Sequence, residues 1–255
     1  MSDFDRNVAA RGFGAARAAA IDVGLRAYMI RVYNYMAAGV ALTGVTAWLT
    51  FNAAVVTDTA GKITGLTSFG QAIFSGPLTI VLFLGTLGIV FFLSFRINKL
   101  QASTAMALFM LYAGLLGLML SSVFLSYTGA SITRTFFISA ASFGALSLYG
   151  YTTQRDLSPI GSFLIMGLFG IIIASLVNLF LASSMLQFIV SVVGVLVFAG
   201  LTAYDTQRLK NDYIYGYASQ GGVVAERASI LGALSLYLNF INLFTLLLQL
   251  LGQRD

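Results

Sequence analysis

The 255-residue chain contains no cysteine and no histidine, and each absence excludes a kind of chemistry. Without cysteine the chain forms no disulfide, carries no thiolate nucleophile and offers no sulfur ligand to a metal. Without histidine it has no imidazole metal ligand, no Ser-His pair and no histidine proton shuttle. No paired carboxylates replace these groups. We therefore expect a protein that is not an enzyme and that binds no cofactor.

Charged residues are also scarce. They make up 9% of the chain, against about a quarter of an ordinary soluble domain, while 58% of the residues are hydrophobic and the mean hydropathy is +0.89. A water-soluble globule could not cover its surface with so few charges. The composition predicts a multi-pass membrane protein whose contact is the lipid bilayer. Its net charge of +5 sits at the ends of apolar runs, so we expect no nucleic-acid partner.

Seven apolar runs predict the organisation of the chain. They cover residues 32–51, 78–96, 104–126, 134–151, 160–182, 185–207 and 228–251. Each is about long enough to cross ~30 Å of hydrocarbon as a helix, and their continuous apolar character excludes a β-barrel. We expect an N-terminal tail of residues 1–31, a seven-helix transmembrane domain of residues 32–251 and a short C-terminus of residues 252–255. The fifth and sixth runs are close enough to form a re-entrant hairpin instead.

The distribution of lysine and arginine predicts the orientation. Three of the fourteen, Lys62, Arg134 and Arg254, fall on one side of the seven runs, and the other eleven fall on the side of the N-terminus. Because positive charge accumulates in cytoplasmic loops, we expect a cytosolic N-terminus. Seven crossings then place the C-terminus outside.

Polar side chains within the last two runs are the candidate functional residues. Asp205, at the end of the sixth run, is the clearest ionisable residue in an apolar run and so a functional hypothesis; an interfacial carboxylate near Arg208 with no function is equally compatible. The seventh run carries one helical stripe of polar residues, which faces the bundle interior or a wet cavity. This stripe either joins helices by hydrogen bonds or lines an ion path; it consists of Ser235, Asn239, Asn242 and Gln249.

Two segments of the chain resemble the Bax inhibitor-1 family, the transmembrane Bax-inhibitor-motif proteins. They are AYDTQ at residues 203–207 and ALSLYLNFINLF at residues 233–244. The chain without histidine and cysteine is similar to the bacterial branch of that family. The two C-terminal motifs are specific, whereas the first five runs match only in pattern.

The resemblance implies a fold and two functions. The fold is a bundle of seven transmembrane helices with the last helix central, in the bacterial inner membrane. Family members act as pH-sensitive calcium leak channels, with calcium as the permeant ion. Two carboxylates on the sixth and seventh helices share a proton, and an arginine on the second helix latches them closed. Bacterial members also modulate a membrane-anchored ATP-dependent protease, so the alternative function is a regulatory binding protein without ion conduction.

Carried onto this chain, the resemblance assigns the carboxylate of the sixth helix to Asp205 and the latch to Arg96. Asn239 occupies the position where the family commonly has the second carboxylate, and an amide cannot titrate. Asp205 would make a weak calcium contact, with Asn239 and Asn242 as neutral oxygen donors. Spacing alone does not pair Asp205 with Asn239, because they lie ~4.5 Å and ~18 Å from the charged ends of their runs; the pairing follows from the resemblance only.

Overall fold

A computed structural model describes residues 3–58, 62–219 and 222–253, and the side chains within these ranges except those of residues 3–20, 98 and 219. The last two positions of the expected C-terminal segment, residues 254–255, therefore lie outside the described residues, as do the first two of the expected tail.

The described chain is almost entirely helical, with one small hairpin. In chain order the elements are α1 (Asp3–Ala54), β1 (Val55–Thr57), β2 (Ile63–Leu66), α2 (Ser68–Phe74), α3 (Pro77–Arg96), α4 (Ala102–Leu120), α5 (Val123–Ser126), α6 (Gly129–Thr152), α7 (Ser158–Leu181), α8 (Ser184–Tyr215) and α9 (Gly222–Leu251). Short 3₁₀ turns, Ile97–Lys99 and Tyr217–Ser219, follow α3 and α8.

Each of the seven apolar runs coincides with a long helix. In the described residues six helices are long and apolar enough to cross a membrane: α1 from Ile21 onward, α3, α4 with α5, α7, α8 and α9. The seventh, α6, has 24 residues but a more polar composition. Its buried residues Ser131, Thr135, Ser139 and Ser147 recur at multiples of four, so the small hydroxyl side chains that lower its hydropathy face inward.

The ends of the helices follow from local chemistry. Pro77 stands in the first turn of α3 and Pro159 in that of α7, where a missing N–H removes no helical hydrogen bond. Ala182 closes α7 in the left-handed region at φ 48°, and the Ser183 hydroxyl caps α8 by accepting from the Leu186 N–H at 3.3 Å. The fifth and sixth runs are thus two helices joined by two residues.

Two features differ from the expected organisation. The first helix runs through residue 31 without a break, and Leu25, Tyr28 and Met29 before that boundary are buried. An antiparallel hairpin joins α1 to α2, pairing Val55 with Leu66; the sequence analysis did not foresee it, because strands of three and four residues carry too little periodicity to be recognised.

The last helix has the most buried surface of the six apolar helices. Of its most apolar stretch of 18 residues, 61% is buried. The corresponding stretches of the other five helices are 11–39% buried. Tyr237 at its midpoint is fully buried, lies edge-on to Phe109 and Tyr112 of α4, and its hydroxyl is 2.6 Å from the Thr43 hydroxyl of α1. Through these contacts α1, α4 and α9 pack around one core.

Candidate functional site

The buried Asp205 carboxylate on α8 is held by three side chains. Its Oδ1 lies 3.0 Å from Arg208 Nη2, and its Oδ2 accepts from Asn239 Nδ2 at 2.7 Å and from Ser235 Oγ at 3.2 Å. Arg208 Nη2 also donates to Ser235 Oγ at 3.4 Å. Every member is partnered, which is the condition under which a buried charge is tolerated.

The structure brings Asp205 and Asn239 together where α8 packs on α9. The sixth apolar run ends at residue 207, but α8 continues to Tyr215. Asp205 therefore lies ten residues, ~15 Å, inside the helix end. Asn239 lies seventeen residues, ~26 Å, from the start of α9 at Gly222, so taking Arg208 as the boundary of the membrane helix accounts for only part of the mismatch in depth.

The expected contact between Arg96 and Asp205 is not made. Arg96 ends α3 with an exposed side chain, and in the described part of the chain it forms no ion pair. Arg208 takes this position because a residue three places along a helix lies on the same face. From the sequence, Arg208 was considered only in the interpretation that gave Asp205 no function.

A chain of packing contacts positions the Arg208 guanidinium. Its carbon lies 5.7 Å from the centre of the Tyr204 ring, a cation–π distance. The Tyr204 ring in turn packs against Gly161 of α7, where an added Cβ would come within 2.3 Å of it. Gly161 therefore leaves the space that the ring occupies beneath Arg208.

All four polar residues of the predicted stripe on α9 line one cavity of about 660 Å³. This cavity, called here the polar groove, lies where α7 and α9 both pack on α8. Besides Ser235, Asn239, Asn242 and Gln249, it is lined by Asp205 and Arg208. All four residues of the stripe thus face this cavity, although Gln249 near the end of α9 is exposed. From Ser235 to Gln249 the stripe extends for fourteen residues, ~21 Å along α9.

The two stripe residues closest to the C-terminal end of α9 form hydrogen bonds with their own helix or with a neighbouring one. Asn242 Nδ2 donates to the Leu238 carbonyl of α9 at 2.8 Å, so Asn242 faces the polar groove without bonding to Asp205. Gln249 Oε1 accepts from Ser191 Oγ of α8 at 2.8 Å. Interhelical hydrogen bonding, the first of the two alternatives, is therefore present on this face, and the ion path stays a prediction.

A second cavity of about 470 Å³, called here the vestibule, lies on the other side of Arg208. Tyr28, Ser94, Asp212 and Tyr217 line it, and Arg208, Ser235 and Leu238 belong to both cavities. The buried Tyr28 hydroxyl has no hydrogen-bond partner among the described residues. Burial raises the pKa of Tyr217 above its usual value, and the Asp212 charge raises it further.

The other residues of the motif at 203–207 serve the fold. Thr206 Oγ1 donates to the Thr202 carbonyl at 2.9 Å. Gln207 forms two hydrogen bonds with the loop between α6 and α7. Its side chain donates to the Arg155 carbonyl and accepts from the Leu157 N–H, both at 2.8 Å. In the same loop, hydrogen bonds from Ser158 lower the pKa of Asp156. Only Asp205 of this motif projects its charge into the cavities.

Within the described ranges no three His, Cys, Asp or Glu side chains are grouped closely enough to hold a metal ion. Asp205 is the carboxylate of the polar groove, and its oxygens are already engaged by Arg208, Ser235 and Asn239. The site is therefore an ion pair of Asp205 with Arg208, and it lies between two cavities.

Comparisons with known proteins agree with this architecture. A family model described as inhibitor of apoptosis-promoting Bax1 matches residues 25–255. The inner membrane protein YbhL of Escherichia coli strain K12 is 47% identical over 233 residues, which are 91% of this chain and 93% of that protein. The uncharacterized protein RP147 of Rickettsia prowazekii is 48% identical over 233 residues, 91% of this chain and 92% of that protein. An uncharacterized Deinococcus radiodurans protein is 42% identical over 231 residues, 91% and 92% of the two chains.

Proposed function

This chain belongs to the Bax inhibitor-1 family and is a multi-pass inner-membrane protein; from that premise we propose that it provides a cation leak pathway, with calcium as the permeant ion, closed by Arg208. The observation that carries the proposal is the position of Arg208, which lines both the vestibule and the polar groove and is paired with Asp205. Arg208 shares this boundary with Ser235 and Leu238, and it is the charged member of the three.

The chemistry of the two cavities suits a cation in transit. Asp212 lines the vestibule, and Asp205, Asn239 and Asn242 line the polar groove. Calcium accepts carboxylate and amide oxygens and usually takes six to eight of them. One carboxylate and two amides in the groove are too few to store calcium and suit weak, passing contacts. The guanidinium of Arg208 repels a cation until it is displaced.

The proposal includes the membrane arrangement. We place α6 across the membrane as the seventh crossing, because its 24 residues give ~36 Å of helix. The high burial of α9 supports a central position for the last helix. The excess of lysine and arginine on the side of the N-terminus supports a cytosolic N-terminus and an external C-terminus.

Calcium flux into proteoliposomes tests the closure by Arg208. We expect Arg208→Gln to raise flux about tenfold, which corresponds to a barrier lower by ~1.4 kcal/mol, because the blocking charge is gone while Asp205 remains. Asp205→Asn should lower flux, since it removes the groove carboxylate and leaves the guanidinium. Arg31→Gln is the matched control: it removes one positive charge from an exposed position on α1. Equal flux in Arg208→Gln and Arg31→Gln would refute the proposal.

The alternative function is regulation of a membrane-anchored ATP-dependent protease. The 52-residue α1 supports it, because at 1.5 Å per residue it extends ~78 Å, more than twice a bilayer crossing, and so leaves a helical arm for a partner. Removal of residues 1–20 tests it, since this cut spares the buried Leu25. We expect a folded protein that no longer associates with the protease. Unchanged association after this cut would contradict an interaction through the arm.

A further inference from the structure

A lateral groove runs along the bundle between α1 and α6. Both helices pack closely on α8 and α9 and at most marginally on each other. Three cavities of about 700, 470 and 430 Å³ follow this gap in sequence. The first and second share Tyr33 and Phe143, and the second and third share Gly44, Phe136 and Phe240. Since neighbouring cavities share these side chains, the three adjoin along one line, which is the lateral groove. From Arg26 to Ala47 it follows α1 for ~32 Å.

The walls of this lateral groove are apolar and its glycines leave it open. The middle cavity is lined by residues such as Met36, Val40 and Phe240. A Cβ added at Gly44 in the middle of the groove, or at Gly144 near its first end, would meet no atom within 4 Å. The floor is Phe240 of α9, so an occupant would lie deeper than lipid on the outer surface of the helices.

Charge appears only at one end of the lateral groove. Asp22 and Arg26 line the first cavity, one helical turn apart on α1, and both side chains are exposed. Neither forms an ion pair in the part of the chain that the structure describes. Arg26 is the nearer of the two to the apolar walls and Asp22 the farther. A phosphate followed by an ammonium group, leading outward from an acyl chain, matches this order.

We propose that the lateral groove binds one phospholipid with an ethanolamine headgroup. One of its two acyl chains lies between α1 and α6, its phosphate pairs with Arg26 and its ammonium group pairs with Asp22. The proposal does not depend on ion conduction. The headgroup is assigned as ethanolamine because a headgroup without an ammonium group would place either a negative charge or no charge next to Asp22.

Native mass spectrometry of the full chain in mild detergent tests this site. Delipidated protein is titrated with phosphatidylethanolamine and with phosphatidylglycerol of identical acyl chains. We expect one ethanolamine lipid per chain, bound about tenfold more tightly than the glycerol lipid. Gly44→Leu and Gly144→Leu fill the groove and should weaken binding of both lipids about tenfold. Gly85→Leu on α3 is the matched control, because its Cβ also meets no atom within 4 Å but lies outside the groove.

The headgroup assignment has its own variants at exposed positions, where folding is not at risk. Asp22→Asn should abolish the preference for ethanolamine over glycerol, and Arg26→Gln should weaken both lipids. Equal lipid retention in Gly144→Leu and Gly85→Leu would overturn the site, because the lipid would then be unspecific surface lipid. A dimer without bound lipid, broken by Gly144→Leu, would overturn it in favour of a second copy of the chain. No headgroup preference in the wild type would overturn the ethanolamine assignment.

Discussion

Asn239→Asp places a second carboxylate against Asp205 and tests whether the side chain at position 239 contacts Asp205 directly. The Asn239 amide nitrogen now donates to Asp205 Oδ2 at 2.7 Å. In the variant an oxygen takes that place, and the hydrogen bond survives only if one proton lies between the two carboxylates. Arg208 at 3.0 Å from Oδ1 balances one negative charge and not two, while Asp212 in the vestibule adds negative charge on the far side of Arg208.

The magnitude follows from Coulomb's law. Two unit charges ~4 Å apart repel by about 4 kcal/mol at an effective dielectric constant of ~20, so the folded variant keeps a shared proton at neutral pH. The unfolded chain has released that proton. The unfolded state therefore binds fewer protons than the folded state, and the free energy of unfolding falls as pH rises, by up to about 1.4 kcal/mol per pH unit. Calcium flux should acquire pH dependence over the same range.

Chemical unfolding in detergent across neutral pH measures this slope. Asn242→Asp is the control, because it adds the same charge to the polar groove from a residue whose amide bonds to its own helix and not to Asp205. We expect Asn239→Asp to lose stability with rising pH much more steeply than Asn242→Asp or the wild type. Equal slopes in the two variants would show that Asn239 does not contact Asp205 as described, and would refute the reasoning.

Two further outcomes are expected. Gln207→Ala should destabilise the protein by about 2–3 kcal/mol, because it removes two hydrogen bonds to the loop between α6 and α7; amide hydrogen exchange should speed up in residues 153–157, and protection equal to that of the wild type would contradict this. A reporter that is active only outside the cytosol, fused after residue 255, should be active if the chain crosses the membrane seven times; silence of this reporter with activity of a cytosolic one would require an even number of crossings.

The positions of the helices and the polar face of α9 could be predicted from the sequence, because both depend only on the residues of a single segment. A run of ~20 apolar residues must form a helix in a membrane, since lipid leaves no other partner for its backbone, and each of the seven runs became a long helix. The stripe on α9 was equally predictable, because side chains three and four places apart share a helical face. Family membership rested on two short motifs and is confirmed over residues 25–255.

The site itself was predictable only in part. Asp205 and Asn239 were named, but their contact depended on how α8 and α9 pack against each other. Charged residues that mark the end of an apolar run do not end a helix, because a lysine or arginine can continue helical hydrogen bonding outside the hydrocarbon. Asp205 pairs with Arg208 and not with the expected Arg96, because the sequence shows where a charge lies along the chain and not which element packs beside it.

The sequence by itself determined that the chain is a membrane protein, where its helices lie and which of their faces are polar. Only the tertiary structure decided that Arg208 closes on Asp205, that two cavities meet at this ion pair, and that α1 and α6 leave a groove between them. Hydropathy and helical periodicity are properties of a single segment. Pairing and cavity formation depend on the relative placement of several helices, which is set by their packing at positions such as Gly161 and Tyr237.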